Sequence, residues 1–181
     1  MAGIKQPLQD VLAKLATLDV TNRDGQTVKL YSRIWNNQVE FELQGDSYVY
    51  PKPAAFVEVV NNAVYEEIGV GFASCDVVFR IHLVHEFYNQ DGTFEQDLEI
   101  FDLRDKIIAL LNHFKPTACG LLVRMNETAS YEHTNIYEYL IDFGCNFTDS
   151  KGSPYDQQAG KFIQKDPPTD LNISANYNIP Q

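Results

Sequence analysis

The chain has 181 residues, 44% of them apolar and 22% charged, with a formal net charge of −11. Those figures fit one soluble globular domain with room for a real core. The acidity argues against a protein that grips nucleic acid, which needs a basic surface to displace counterions, though not against a wall along which DNA slides.

Leu8, Val11, Leu12, Leu15 and Leu18 recur at helical spacing behind Pro7, predicting a helix over Pro7 to Asp19. Asn22-Arg23-Asp24-Gly25 carries turn chemistry. Val28 to Leu43 reads as a β-hairpin turning at Asn36-Asn37. Its register would set Ile34 opposite Val39, Leu30 opposite Leu43 and Arg33 opposite Glu40. Gln44-Gly45-Asp46 is a turn, and Pro51 to Ala55 is stiff and extended. It leads into Phe56-Val57-Glu58-Val59-Val60, whose near-continuous apolar character predicts an interior strand. Asn61 to Cys75 reads as a loop.

The centre of the pattern is Asp76 to Phe114. Val77, Phe79, Ile81, Leu83 and Phe87 alternate with Arg80, His82, Glu86 and Tyr88, which is a long strand with one buried side. Asn89-Gln90-Asp91-Gly92 breaks it. Phe94, Leu98, Phe101, Ile107, Ile108, Leu111 and Phe114 then mark one stripe of a helix that Pro116 stops. Next come a short strand over Leu121 to Met125, a polar loop over Asn126 to Thr134 and a last strand over Ile136 to Phe147. On that last strand Tyr137, Tyr139, Ile141, Phe143, Cys145 and Phe147 share a face. Residues 151–181 hold Pro154, Pro167, Pro168 and Pro180 without periodicity, and describe an extended arm.

The expected fold class is therefore α+β. Residues 1–149 form a mixed, mostly antiparallel sheet with an N-terminal helix and a second amphipathic helix on one face, and residues 150–181 form the arm.

Candidate chemistry is thin. Cys75, Cys119 and Cys145 are odd in number and far apart, which suits buried reduced thiols better than disulfides or zinc. His82 and His85 lie three apart on a strand and so point to opposite faces. No metal site is expected; His82 reads as a surface residue and His85 as a partly buried one. Gly69-Val70-Gly71 lacks the rest of a dinucleotide fingerprint and reads as a turn. Asp97 and Glu99 suit a helix N-terminus, while Asp102 and Asp105 suit its solvated face. No nucleophile elbow is present. The expectation is no catalysis and no cofactor. The first residues lack an apolar leader core and no segment approaches a membrane span, so origin in a cytosol and no membrane partner are expected.

The order of elements, with the Pro-bracketed strand Pro51-Lys-Pro-Ala-Ala-Phe-Val-Glu-Val-Val60 and the closing Asp142-Phe143, resembles the tail terminator (tail completion) proteins of long-tailed bacteriophages and their neck and connector relatives. The resemblance covers about Pro7 to Asp149. It implies a virion protein made in a host bacterial cytoplasm. Copies would close into a ring, commonly a hexamer, that caps the tail tube, contacts tube and head–tail connector proteins, and lets DNA through its lumen without specific binding. Candidate subunit or partner contacts are Tyr65, Glu66, Glu67, Tyr131, Phe162 and Tyr177. Two alternatives stand beside it. One is a small α+β ligand-binding module or enzyme using the sheet face where Arg80, His82, Glu86 and Tyr88 gather. The other is a partner-binding domain working through the C-terminal arm.

Overall fold

A computed structural model describes residues 3–22, 24–43, 50–60, 64–86, 94–130 and 136–151. Among them are three helices, α1 (Lys5–Leu15), α2 (Gln38–Leu43) and α3 (Phe94–Leu111), and eight strands. The strands are β1 (Asp19–Thr21), β2 (Thr27–Lys29), β3 (Tyr31–Ile34), β4 (Ala54–Val60), β5 (Glu66–Gly69), β6 (Phe72–Glu86), β7 (Val123–Ser130) and β8 (Ile136–Asp149). The main sheet runs β3-β4-β6-β8-β7, with β5 pairing the first residues of β6, and β1 and β2 form a separate ribbon. Strands β3 and β4 are parallel, and the other described pairs are antiparallel. The chain is thus α+β with a mixed, mostly antiparallel sheet.

The period-two pattern of β6 governs the packing. Val77, Phe79, Ile81 and Leu83 join Ala55 and Val57 of β4 and Ile141, Phe143, Cys145 and Phe147 of β8 in one buried layer. Val11 and Leu15 of α1 and Ile100, Leu103, Ile107 and Leu111 of α3 cover that layer. Burying one such side chain is worth about 1.5–3 kcal/mol, so this face is where the fold is held.

The helix stripe of α3 differs in detail from the sequence pattern. Ile100 and Leu103 point inward, while Leu98 and Phe101 are exposed. The ring of Phe101 instead meets Tyr137 and Tyr139 edge-on at the rim of the sheet. Helix α1 also ends four residues before the expected Asp19. Thr17 Oγ1 donates to the Lys14 carbonyl and Asp19 opens β1. The predicted turn after β1 is present: Asn22 Oδ1 accepts from the amides of Asp24 and Gln26, and Gly25 takes φ 74°.

The hairpin expected over Val28 to Leu43 does not form. Thr27–Lys29 pairs with β1, Tyr31–Ile34 lies parallel to β4, and Gln38–Leu43 is helical. Asn37 does adopt the positive φ (55°) that a turn demands. Packing decides the conformation of the residues after it: Val39 is buried with Tyr50, Phe56, Val84 and Ile136 on the second face of the sheet. The Gln38 amide holds the corner, donating to the Ile34 carbonyl at 2.7 Å and accepting from Asn36 N at 2.6 Å. A six-residue apolar alternation cannot by itself separate strand from helix.

Two stretches read as loops are strands. Residues 61–75 contain β5 and the start of β6, joined by a tight turn in which Gly71 has φ 73°. Residues 126–130 continue β7 along β8, past a bulge between Arg124 and Asn126. Pairing to a neighbour, not apolar period, makes both of these strands.

Candidate functional site

The second face of the sheet carries a polar ladder that register alone brings together. Antiparallel pairing sets Glu58 of β4 beside Arg80 of β6, and Arg80 beside Asp142 of β8. One step along, His82 sits between Phe56 and Leu140, with Glu138 diagonal to it. Arg80 Nε and Nη2 donate to the two carboxylate oxygens of Asp142 at 2.8 and 3.0 Å. Its Nη1 lies 3.9 Å from Glu58. These hydrogen bonds to Asp142 lead the effects that push the Arg80 guanidinium above its ordinary pKa, against its desolvation.

The two nitrogens of His82 face different carboxylates, Nδ1 at 2.8 Å from Glu138 and Nε2 at 3.1 Å from Glu58. An imidazole donates from one nitrogen and an imidazolium from both. The indole of Trp35 roofs the ring in a parallel stack. His82 was expected at the surface and is buried, because β3 delivers Trp35 onto it; His85 is likewise buried rather than partly so. The opposed nitrogens also mean that Glu58 and Glu138 cannot converge with His82 on one ion. Among the described residues no group of three or more His, Cys, Asp or Glu side chains could hold a metal.

Every charged member of the ladder is answered within it, so the ladder ties three strands together. Among the described residues, two of the clefts lie elsewhere. The larger, about 660 Å³, is lined by residues that include Tyr31, Arg33, Tyr50, Lys52 and Glu86; the smaller, about 200 Å³, includes His85 and Glu99. Arg80 and His82 line neither. Of the residues expected to gather with them, Glu86 lies at the larger cleft and Tyr88 is outside the described residues.

A second polar group ties α3 to the sheet. Glu127 of β7 accepts from Arg104 Nε at 2.7 Å, from Arg124 Nη1 at 2.7 Å and from the Tyr139 hydroxyl at 2.9 Å. Burial alone would raise the Glu127 pKa, but bonds from Arg104 and Tyr139 and both positive charges outweigh it and hold the carboxyl below its ordinary value. Burial, then the Glu127 carboxylate, push Tyr139 up.

All three cysteines are buried free thiols. The hydrogen bond between Cys119 and Cys145 raises the former and lowers the latter. Burial, ahead of its neighbours, raises Cys75.

Of the candidate contact residues, Tyr65, Glu66 and Glu67 are exposed on and beside β5. Tyr131, Phe162 and Tyr177 lie outside the described residues, as does most of the arm. Sequence reasoning missed the rest of this region. Val64, Ile68 and Val70 are exposed around β5, and Leu121, Val123 and Met125 are exposed at and before the start of β7. Among the described residues β5 pairs only with β6, and β7 only with β8. The signal for Glu58 was available, as a lone acid inside an apolar strand. The signal for Asp142 and Glu138 was their place on the polar phase of β8.

No helix among the described residues is long and apolar enough to cross a membrane. In comparisons with known proteins the sequence matches no family model and no curated protein.

Proposed function

We propose that this chain is a structural subunit of the head-proximal end of a bacteriophage tail. Copies form a ring, six in the simplest case, that ends growth of the tail tube and joins it to the neck, in contact with tube and connector proteins. DNA passes through the lumen, and the net charge of −11 keeps the wall from trapping it. On this reading the protein makes no bonds, carries no cofactor and resides in the virion.

The observation that carries the proposal is the pair of sheet edges that no other described strand pairs, each with exposed apolar side chains at or beside it. β5 and β7 lie on opposite sides of one sheet, and each exposes large apolar side chains beside backbone that no other described strand pairs. Both edges carry charged residues and a bulge, the usual protections of an edge strand, yet each also leaves large apolar side chains in water. Placed on opposite sides, they suit a repeated head-to-tail contact, the type that generates rings when the rotation closes. The element order supports the same reading through its resemblance to the tail terminator proteins.

A ligand site on the open sheet face fits less well. Arg80, Glu58 and Asp142 answer one another, and Trp35 covers His82.

Light scattering over rising concentration, with negative-stain microscopy, tests the proposal. Closed particles of several subunits around a hole are the expected result. A chain that stays monomeric at every concentration, alone and with tail tubes, would overturn it.

A further inference from the structure

We infer that the cleft between β3 and residues Tyr50 to Pro53 holds an acidic diproline segment of the same chain, Asp166-Pro167-Pro168-Thr169-Asp170. Docking of this kind needs only one copy and stands independently of the ring.

The cleft, about 660 Å³, is of ligand-binding size, and Tyr31, Tyr50, Pro51 and Pro53 line it. Both tyrosine rings stand edge-on to buried Phe56, at 6.2 and 5.0 Å, so the core fixes their positions. An aromatic-lined groove is the surface on which a polyproline II segment docks. The sequence contains one Pro-Pro pair, Pro167-Pro168, in the arm beyond the described residues. Proline fixes its own φ and keeps the residue before it extended, so such a segment loses little entropy on docking.

Charge sets the register. β2 runs into β3 with only Leu30 between, and Lys29, Tyr31 and Arg33 fall on alternate positions that line the cleft. The two cations are four residues apart, about 13 Å along extended backbone. Asp166 and Asp170 are also four apart, about 12 Å in polyproline II. Two acids flanking a diproline thus match two cations flanking a tyrosine. Arg33 lies over the Tyr31 ring at 5.4 Å, and among the described residues no carboxylate is within ion-pair distance of it. Lys29 pairs with Asp19, but both side chains are exposed, and an exposed pair is worth little. Lys52 stays with Glu42. Asp24 and Glu86 also line the cleft, which leaves it with three cations to two acids on a chain of net −11.

The arm starts within reach. Lys151 lies against Gly3, before the first turn of α1, while Ala16 at the other end of that helix lines the cleft. Those ends are about 20 Å apart at 1.5 Å per residue. About fifteen residues join Lys151 to Asp166, which reach up to about 50 Å. A tether of that length holds the segment at an effective concentration of order millimolar, ahead of other copies in dilute solution.

The test uses the full chain labelled at Thr169→Cys with a fluorophore that accepts energy from the single tryptophan, Trp35, two residues past Arg33. The native thiols are buried, so the label goes to position 169. The expected result is strong transfer that falls as salt rises and stays unchanged when unlabelled chain is added in excess. Lys29→Glu with Arg33→Glu is expected to weaken docking about tenfold at low salt, and adding Asp166→Lys with Asp170→Lys to restore it. Equal transfer with and without the two reversed cations would overturn the docking, as would transfer indifferent to salt. Failure of the swapped acids to restore transfer would overturn the charge register. Transfer diluted away by unlabelled chain would put the arm in another copy's cleft and overturn docking within one chain.

Discussion

The indole of Trp35 lies flat on the imidazole of His82, with ring centroids 3.8 Å apart and planes 7° from parallel. Trp35 also meets Phe56 at 6.0 Å. The contact joins the end of β3 to the middle of β6 across β4, and it closes the polar ladder on the side where α2 sits.

Replacing Trp35 with Ala is therefore expected to loosen this end of the sheet. Loss of a half-buried Trp with two ring contacts should cost about 2–4 kcal/mol. Trp35→Phe, which keeps a ring over His82, should cost less than half of that. Urea unfolding followed by circular dichroism measures both, and equal losses would show that the stack contributes nothing.

The Arg80–Asp142 pair is bidentate and partly buried, with side chains 32% and 13% exposed. Asp142→Ala strands a guanidinium that Glu58 answers only at 3.9 Å. The expected loss is about 1.5–3 kcal/mol. A cycle with Arg80→Met should give a coupling of about 1 kcal/mol or more. Strict additivity would contradict the pairing.

Glu127 gives a pH dependence whose sign is fixed by its direction of shift. Its carboxyl is held below the ordinary value of 4.5 in the folded chain. The stability it contributes is fully present above pH 4.5 and is lost as pH falls through the lower folded value. Glu127→Gln should thus be less stable than wild type at neutral pH, and the gap should close below the folded value. Thermal unfolding between pH 7 and pH 3 checks this. A gap that widens on acidification would contradict it.

Gly144 and Met125 should behave as one unit. Gly144→Ala alone must move the Met125 thioether, the flexible and exposed end of that side chain, so a stability loss below about 1 kcal/mol is expected. Combined with Met125→Ala, the Gly144→Ala cost should vanish. Additive losses across the double-mutant cycle would show that the two side chains do not share the space.

Much of this architecture was written in local pattern. The alternation from Val77 to Leu83 and from Ile141 to Phe147 gave two long strands with the correct buried phase, and Leu8 to Leu15 gave the first helix. Asn37 announced its positive φ and Gly71 its turn. The errors share one cause. Val39 to Leu43 alternates like a strand, yet the hole left by Phe56, Tyr50 and Ile136 takes Val39 from a helix. β5 is exposed throughout, and the partly buried positions in the far half of β7 are Glu127, Ala129 and Ser130, so no hydrophobic period marks either.

The candidate site was legible only in fragments. Arg80 and His82 could be placed on one face from spacing. Their partners could not, because Glu58 and Asp142 lie 22 and 62 residues from Arg80, and Glu138 lies 56 residues from His82, so that they meet only through strand register. By itself the sequence determined which side chains leave water along the inner phase of β6 and β8, since burial there follows the identity and period of the residues. Tertiary structure alone decided which strand lies beside which. That choice set which charges are answered within the chain and which apolar side chains stay in water.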